Sequence, residues 1–193
     1  MATTPVILRL GKQDEGRLVS SEEFAEAEFD EPWRYEREDG RLIVMAPPGE
    51  EHVDASEPWR DALVVYKQQN PEIVQKIVSE AWIRINLGKD RICDIGVYLV
   101  PKGPVRKIPD RVPELIFEIV SPDKASRDRD YIQKRAEYHK LGVREYVIID
   151  RFRAVVSVLT WTARGYDDNL LDADDVYTSP LLPGLAIPLT GLI

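Results

Sequence analysis

Residues 113–122 read Pro-Glu-Leu-Ile-Phe-Glu-Ile-Val-Ser-Pro, an apolar run of strand length bounded by prolines, with Glu118 near its end. Side chains alternate across a strand, so Leu115, Phe117 and Ile119 share one face while Ile116, Glu118 and Val120 share the other. A carboxylate set among aliphatics needs a positive partner to offset its desolvation. Two other segments supply candidates. Ile92 to Val100 is a second apolar strand, with Asp94 near its start. Downstream, Asp130, Lys134 and Tyr138 recur every four residues, along one stripe of a helix. Two strand-borne acids and a lysine on the next helix are the parts of a divalent-metal phosphodiesterase site.

The rest of the chain must position these groups. Ser20 and Glu23 have the spacing of a capping box, so a short helix is expected through Ala27. Trp33–Glu38 and Arg41–Ala46 flank Asp39-Gly40, a hairpin turn with both central residues at positive φ. Glu36 lies on the first of these strands, either as a solvated residue beside Arg34 and Arg37 or as a third carboxylate of the site. After Pro47-Pro48-Gly49, a helix over 50–69 would bury Trp59, Leu63 and Tyr66. Pro58 either kinks it or makes it start at Ser56-Glu57. Residues 73–87 alternate as one or two strands. Gly88 to Arg91 is expected to turn the chain and deliver Asp94 to the sheet edge nearest that turn.

The 101–113 segment holds four prolines with Lys102, Arg106, Lys107 and Arg111, and shows no periodicity. It is a loop, either simply solvated or placing cations against a nucleic-acid backbone. Ser126 is expected to cap a helix ending at Gly142. Val143–Asp150 and Ala154–Trp161 form a second hairpin, and the acidic stretch 165–175, with five aspartates, reads as a solvated loop. The proline- and leucine-rich tail packs along the sheet or against a second copy in a homodimer. Strand, helix, strand, strand implies an α/β (α+β) fold with a mixed central sheet flanked by helices.

A chain of 193 residues is long enough for one domain and short for two. We expect an N-terminal extension over 1–19, with the patch Val6-Ile7-Leu8 given no function, and a single domain over 20–193. No apolar run approaches the ~20 residues that span a bilayer, and no basic-then-apolar leader opens the sequence. A cytoplasmic protein without membrane contact is expected. One cysteine and two distant histidines exclude an internal disulfide and a multi-cysteine zinc site, so any metal would be a hard one held by oxygen. Cys93 reads as a small core residue. A net charge of −8 argues against coating nucleic acid non-specifically, and leaves room for a local basic cleft.

Taken in order, several residues resemble the Uma-two family of restriction-endonuclease-like proteins in the PD-(D/E)XK nuclease superfamily. They are Tyr35-Glu36 and Asp39-Gly40, Met45-Ala46-Pro47-Pro48 and His52, Asp94, and Glu118-Ile119-Val120-Ser121-Pro122. Asp130, Lys134 and Tyr138 follow, then Gly142 to Tyr146 closing on Asp150, and Ser179 to Leu185 near the end. Cys93 stands where the superfamily has proline before its aspartate. Val120 stands at the usual lysine position, and the family is similar in carrying that lysine on the next helix, here Lys134.

The resemblance implies a restriction-endonuclease-like fold and a nuclease acting on a nucleic acid, in the first place DNA. Asp94, Glu118 and the carbonyl of Ile119 would hold Mg²⁺ or Mn²⁺, with water and substrate completing the shell. Lys134 would hold the attacking water or neutralise the transition state, and Glu36 would position the water or a second metal. His52, Asp130 and Tyr138 would be accessory, and Lys102, Arg106 and Lys107 would meet the backbone of the substrate. The bland alternative keeps the fold and makes Glu118 and Lys134 a buried ion pair in a binding or assembly module.

Overall fold

The computed structural model describes residues 7–193. Val6 and the rest of the first six residues of the expected extension lie outside the described residues.

The chain opens with β1 (Arg9–Leu10), α1 (Ser21–Glu26), β2 (Glu28–Phe29), β3 (Arg34–Glu38) and β4 (Arg41–Met45). A long helix α2 (Glu50–Gln69) leads to β5 (Val74–Asn86), β6 (Lys89–Leu99) and β7 (Leu115–Ile119). Next, α3 (Lys124–Asp128) runs through a π-helical segment (Arg129–Lys134) into α4 (Arg135–Leu141). The remainder is β8 (Glu145–Asp150), β9 (Val155–Thr162), β10 (Gly165–Leu171), β11 (Val176–Ser179) and β12 (Leu182–Pro188). Eight strands join in one sheet, ordered β10-β9-β8-β7-β6-β3-β4 with β5 on β6. The β7–β8 pair is parallel, across the helical connection, and the other pairs of this sheet are antiparallel. This is the mixed α+β sheet that the element order predicts.

Local chemistry accounts for most boundaries. Ser20 and Glu23 exchange the two capping-box hydrogen bonds, and Asp39 and Gly40 both sit at positive φ in the β3–β4 turn. The helix α2 starts at Glu50 and continues through Pro58. Gly142, at φ 78°, ends α4. Three expectations need correcting. The cap of α3 is Asp123, whose carboxylate accepts from the Ser126 amide, so the helix starts before Ser126. Only Leu87 and Gly88 turn β5 into β6; Asp90 and Arg91 are already in the strand, buried against opposite charges. Residues 165–171 form β10 on β9, because Tyr166 packs inward while the exposed aspartates line an edge strand, where charge discourages further pairing.

The sheet separates two cores. On one face Trp59, Leu63 and Tyr66 of α2 meet Leu115, Phe117 and Ile119, closed by Tyr177, Leu182 and Ile187 of the C-terminal hairpin. On the other, Ile116, Val120, Tyr146 and Ile148 meet Tyr138 of α4. Each fully buried apolar side chain contributes about 1.5–3 kcal/mol, so the three on β7 fix its register. A one-residue slip would turn Phe117 out of this core and drive Glu118 between Trp59 and Tyr177, whose rings lie 5.6 Å apart. A third cluster joins Leu10 and Val19 to Phe24, Tyr35 and Leu42. Among the described residues no helix is long and apolar enough to cross a membrane.

Candidate active site

A gap in the sheet shapes the site. One edge of β6 pairs with β5 along nearly its whole length. A strand has two edges, so β3, which pairs at Arg37↔Asp90, and β7, which starts at Ile95↔Phe117, must share the other. Residues 91–94 of that edge face neither strand. Side chains close the ladder instead: Ile92 donates its amide to Glu36 Oε1 at 2.9 Å, and its carbonyl accepts from Lys134 Nζ at 3.1 Å. Asp94 Oδ2 accepts from the Ile119 amide at 2.8 Å. Extending the β6–β7 register by one step sets Asp94 opposite Glu118. Asp94 therefore lies midway along an interior strand, where its neighbours change, and not at the turn-side edge expected from the sequence.

The two carboxylates have separate partners. Lys134 Nζ (2.8 Å) and the Tyr138 hydroxyl (3.0 Å) both donate to Glu118 Oε1, and Oε2 accepts no hydrogen bond among the described residues. Asp94 Oδ1 faces His52 Nε2 at 3.1 Å and Arg34 at 3.3 Å. Asp130 lies 3.5 Å from Lys134 Nζ as an ion pair, and its Oδ1 accepts no hydrogen bond. The stripe of Asp130, Lys134 and Tyr138 is thus buried against the sheet, with a π turn where it meets the site, as is frequent at functional positions.

Burial pushes the Glu118 carboxyl up to about 8, with Lys134 opposing and Asp94 and Asp130 adding to the rise. Burial would also raise Asp94, but the hydrogen bond and charge of His52, then Lys134 and the Ile119 amide, hold it well below the usual carboxylate range. Desolvation works against the Lys134 ammonium, and Glu118, Asp130 and Glu36 outweigh it, so the amine stays protonated.

Glu36 is buried, not solvated: Arg91 binds it at 3.3 Å and also joins Glu137 at 2.9 Å and Glu38. Sequence reasoning missed Arg91 and Arg129. Ion pairs between residues more than forty apart leave no local pattern, and one arginine in a charged helix looks like its neighbours. Glu36, Asp94, Glu118, Asp130, Lys134 and His52 all line one small polar pocket of about 40 Å³. It adjoins a cleft of about 600 Å³, and the two share Arg34, Met45, His52, Ser121 and Arg129. Lys102, Arg106 and Lys107 are exposed in the β6–β7 loop, at the far end of β7 from Glu118, and do not line the cleft.

The donor set fits a hard divalent cation. It offers the Asp94 and Glu118 carboxylates on one pocket, with Glu118 Oε2 free of hydrogen bonds among the described residues and Asp130 Oδ1 at ion-pair distance from Lys134. No group of three or more His, Cys, Asp or Glu among the described residues would enclose an ion. Magnesium and manganese sites keep several waters and need few protein ligands.

A model of the Uma2 family, described as "Putative restriction endonuclease", matches residues 21–190. The chain is similar in fold to a crystal structure described as "a putative nuclease belonging to DUF820" from Anabaena variabilis ATCC 29413. The TM-score is 0.70 at 18% identity, over 90% of this chain and 97% of that one. No curated protein matches the chain.

Proposed function

Since the chain belongs to the Uma2 family, we propose that it is a metal-dependent endonuclease that hydrolyses phosphodiester bonds in DNA, in the cytoplasm. The observation that carries this reading is the convergence of Asp94, Glu118 and Lys134 on the unpaired edge of β6. Asp94, Glu118 and the carbonyl of Ile119 would hold Mg²⁺ or Mn²⁺. When bound, such an ion supplies Lewis acidity toward phosphoryl oxygens and acidifies a water.

The protein's own groups do the rest. His52 and Arg34 keep Asp94 ionised and oriented. Tyr138 and Lys134 fix one oxygen of Glu118 and leave the other toward the pocket. The Lys134 ammonium, held between Glu118 and the Ile92 carbonyl, donates to the attacking water or to a phosphoryl oxygen as charge builds there. Glu36, clamped by Arg91 and the Ile92 amide, positions the water.

One observation favours a second reading, an inactive binding module: Glu118 and Asp94 each already have cationic partners. The discriminating experiment incubates supercoiled plasmid with the protein and Mg²⁺ or Mn²⁺. Nicking that stops with chelator, in Asp94→Ala and in Glu118→Ala supports the nuclease. Nicking that survives both substitutions rules the mechanism out, and a wild-type protein that never nicks leaves the binding module.

A further inference from the structure

The cleft beside the carboxylates contains a cation for which the proposed chemistry has no use. Arg129 opens the π-helical segment and lines both the small pocket and the larger cleft. It is partly buried, yet among the described residues it forms no ion pair. Among the described residues its one side-chain hydrogen bond is a 3.6 Å approach of Nη1 to the Met45 sulfur, and its Nε has no hydrogen-bond partner. Burial opposes its charge and the carboxylates of Glu36, Asp130 and Glu118 outweigh that through space, yet none of them pairs with it directly, so its planar fork is left free to take a phosphate. The other arginines of the site are engaged: Arg34 on Asp94 and Glu80, Arg91 on three glutamates. Arg151, which also lines the cleft, pairs with the exposed Glu51 and lies over the Phe152 ring, and among the described residues its own Nε has no hydrogen-bond partner.

The walls agree with this. Met45, Pro47, Pro48, Val120 and Pro122 line the cleft with apolar surface on which sugars and bases can rest. About 600 Å³ falls within the range that takes a ligand of one or two nucleotides. We propose that Arg129 holds the phosphate next to the scissile one, and that the strand's backbone runs through this cleft, past Arg151, instead of along the 101–113 loop. This deepens the nuclease reading by placing its substrate, and Arg129 is a positioning residue that does not touch the reacting atoms.

Binding can be measured apart from cleavage, by fluorescence anisotropy of a short labelled oligodeoxynucleotide in chelator. Arg129→Gln is expected to weaken binding on the order of tenfold and to lower the salt slope by about 1. Arg151→Gln should weaken it several-fold, and Lys76→Gln, an exposed charge on β5 outside the cleft, should leave it unchanged. In a cleavage assay the Arg129→Gln loss should fall on KM and spare kcat, as for a contact made equally before and during reaction. Arg129→Lys, which keeps the charge without the fork, should bind between wild type and Arg129→Gln. Wild-type affinity in both Arg129→Gln and Arg151→Gln, or a loss confined to a Lys102/Arg106/Lys107 triple variant, would overturn the inference and leave the nuclease reading standing. Arginine-dependent binding without any metal-dependent cutting would sink the nuclease reading and keep only the strand's path past Arg129 and Arg151.

Discussion

Replacing Lys134 by methionine tests how the site is held together. The Lys134 side chain is 4% exposed, and its ammonium bonds Glu118 at 2.8 Å and the Ile92 carbonyl at 3.1 Å and neighbours Asp130 at 3.5 Å. Above about pH 8, where Glu118 is ionised, removing one partner of this buried pair costs about 3–5 kcal/mol, because the other charge stays behind. The Ile92 carbonyl also loses its donor, at about 1–3 kcal/mol, which overlaps with the first loss. We expect Lys134→Met to destabilise the protein by about 4 kcal/mol, a large share of the ~5–15 kcal/mol typical of a domain. For an m-value of about 2 kcal/mol/M, the urea midpoint read by tryptophan fluorescence would fall by roughly 2 M. Glu118→Gln keeps an acceptor for Tyr138 and leaves the Lys134 ammonium its other neighbour, Asp130 at 3.5 Å, so it should cost only about 1–2 kcal/mol. The double variant removes both charges and should cost about 2 kcal/mol, giving a coupling of roughly 3 kcal/mol. Single effects that add to within ~0.5 kcal/mol would refute the reasoning. So would a Lys134→Met midpoint near that of wild type.

At limiting metal, cleavage should rise with pH up to about 8 and level off above it, because Glu118 must shed its proton to hold a cation; a pH–rate profile that is flat at limiting metal would contradict this. The same raised carboxyl binds its proton more tightly folded than unfolded, so its contribution to stability falls as pH rises from the ordinary carboxylate range through about 8, and Glu118→Gln should flatten that slope in urea melts. Tyr177→Phe should cost about 1–3 kcal/mol, since it strips a hydrogen bond from the buried Glu145 carboxylate that ties the C-terminal hairpin to β8. Gly40→Ala, at φ 75°, should cost about 1–2 kcal/mol in a thermal melt and leave metal uptake intact.

Much of the frame is legible because its signals are local. The prolines around β7, its alternation, the Asp39-Gly40 turn and the Ser20 capping box are written within ten residues and need no tertiary contact to be read. Glu118 could be picked out because an acid in an apolar strand must be compensated, and Lys134 because it shares a helical stripe with Asp130 and Tyr138. What stayed hidden depends on residues far apart in the chain. Nothing near Ile92 shows that its edge of the strand faces a gap, or that Glu36 and Lys134 fill it. Arg91 looks like a turn residue until Glu36, Glu38 and Glu137 surround it. The aspartates of β10 disguise a strand because one face of an edge strand can be wholly solvated. The basic loop drew attention by composition, while the cleft cation, Arg129, stands among other charges without any distinguishing mark.

Whether Asp94 and Glu118 take up a divalent ion together is most directly measured by titration calorimetry with manganese chloride. Saturable uptake by the wild type, abolished in both Asp94→Asn and Glu118→Gln while their folds persist by circular dichroism, is the predicted result. No uptake by the wild type, with or without an oligonucleotide, or equal uptake by both variants, would contradict it.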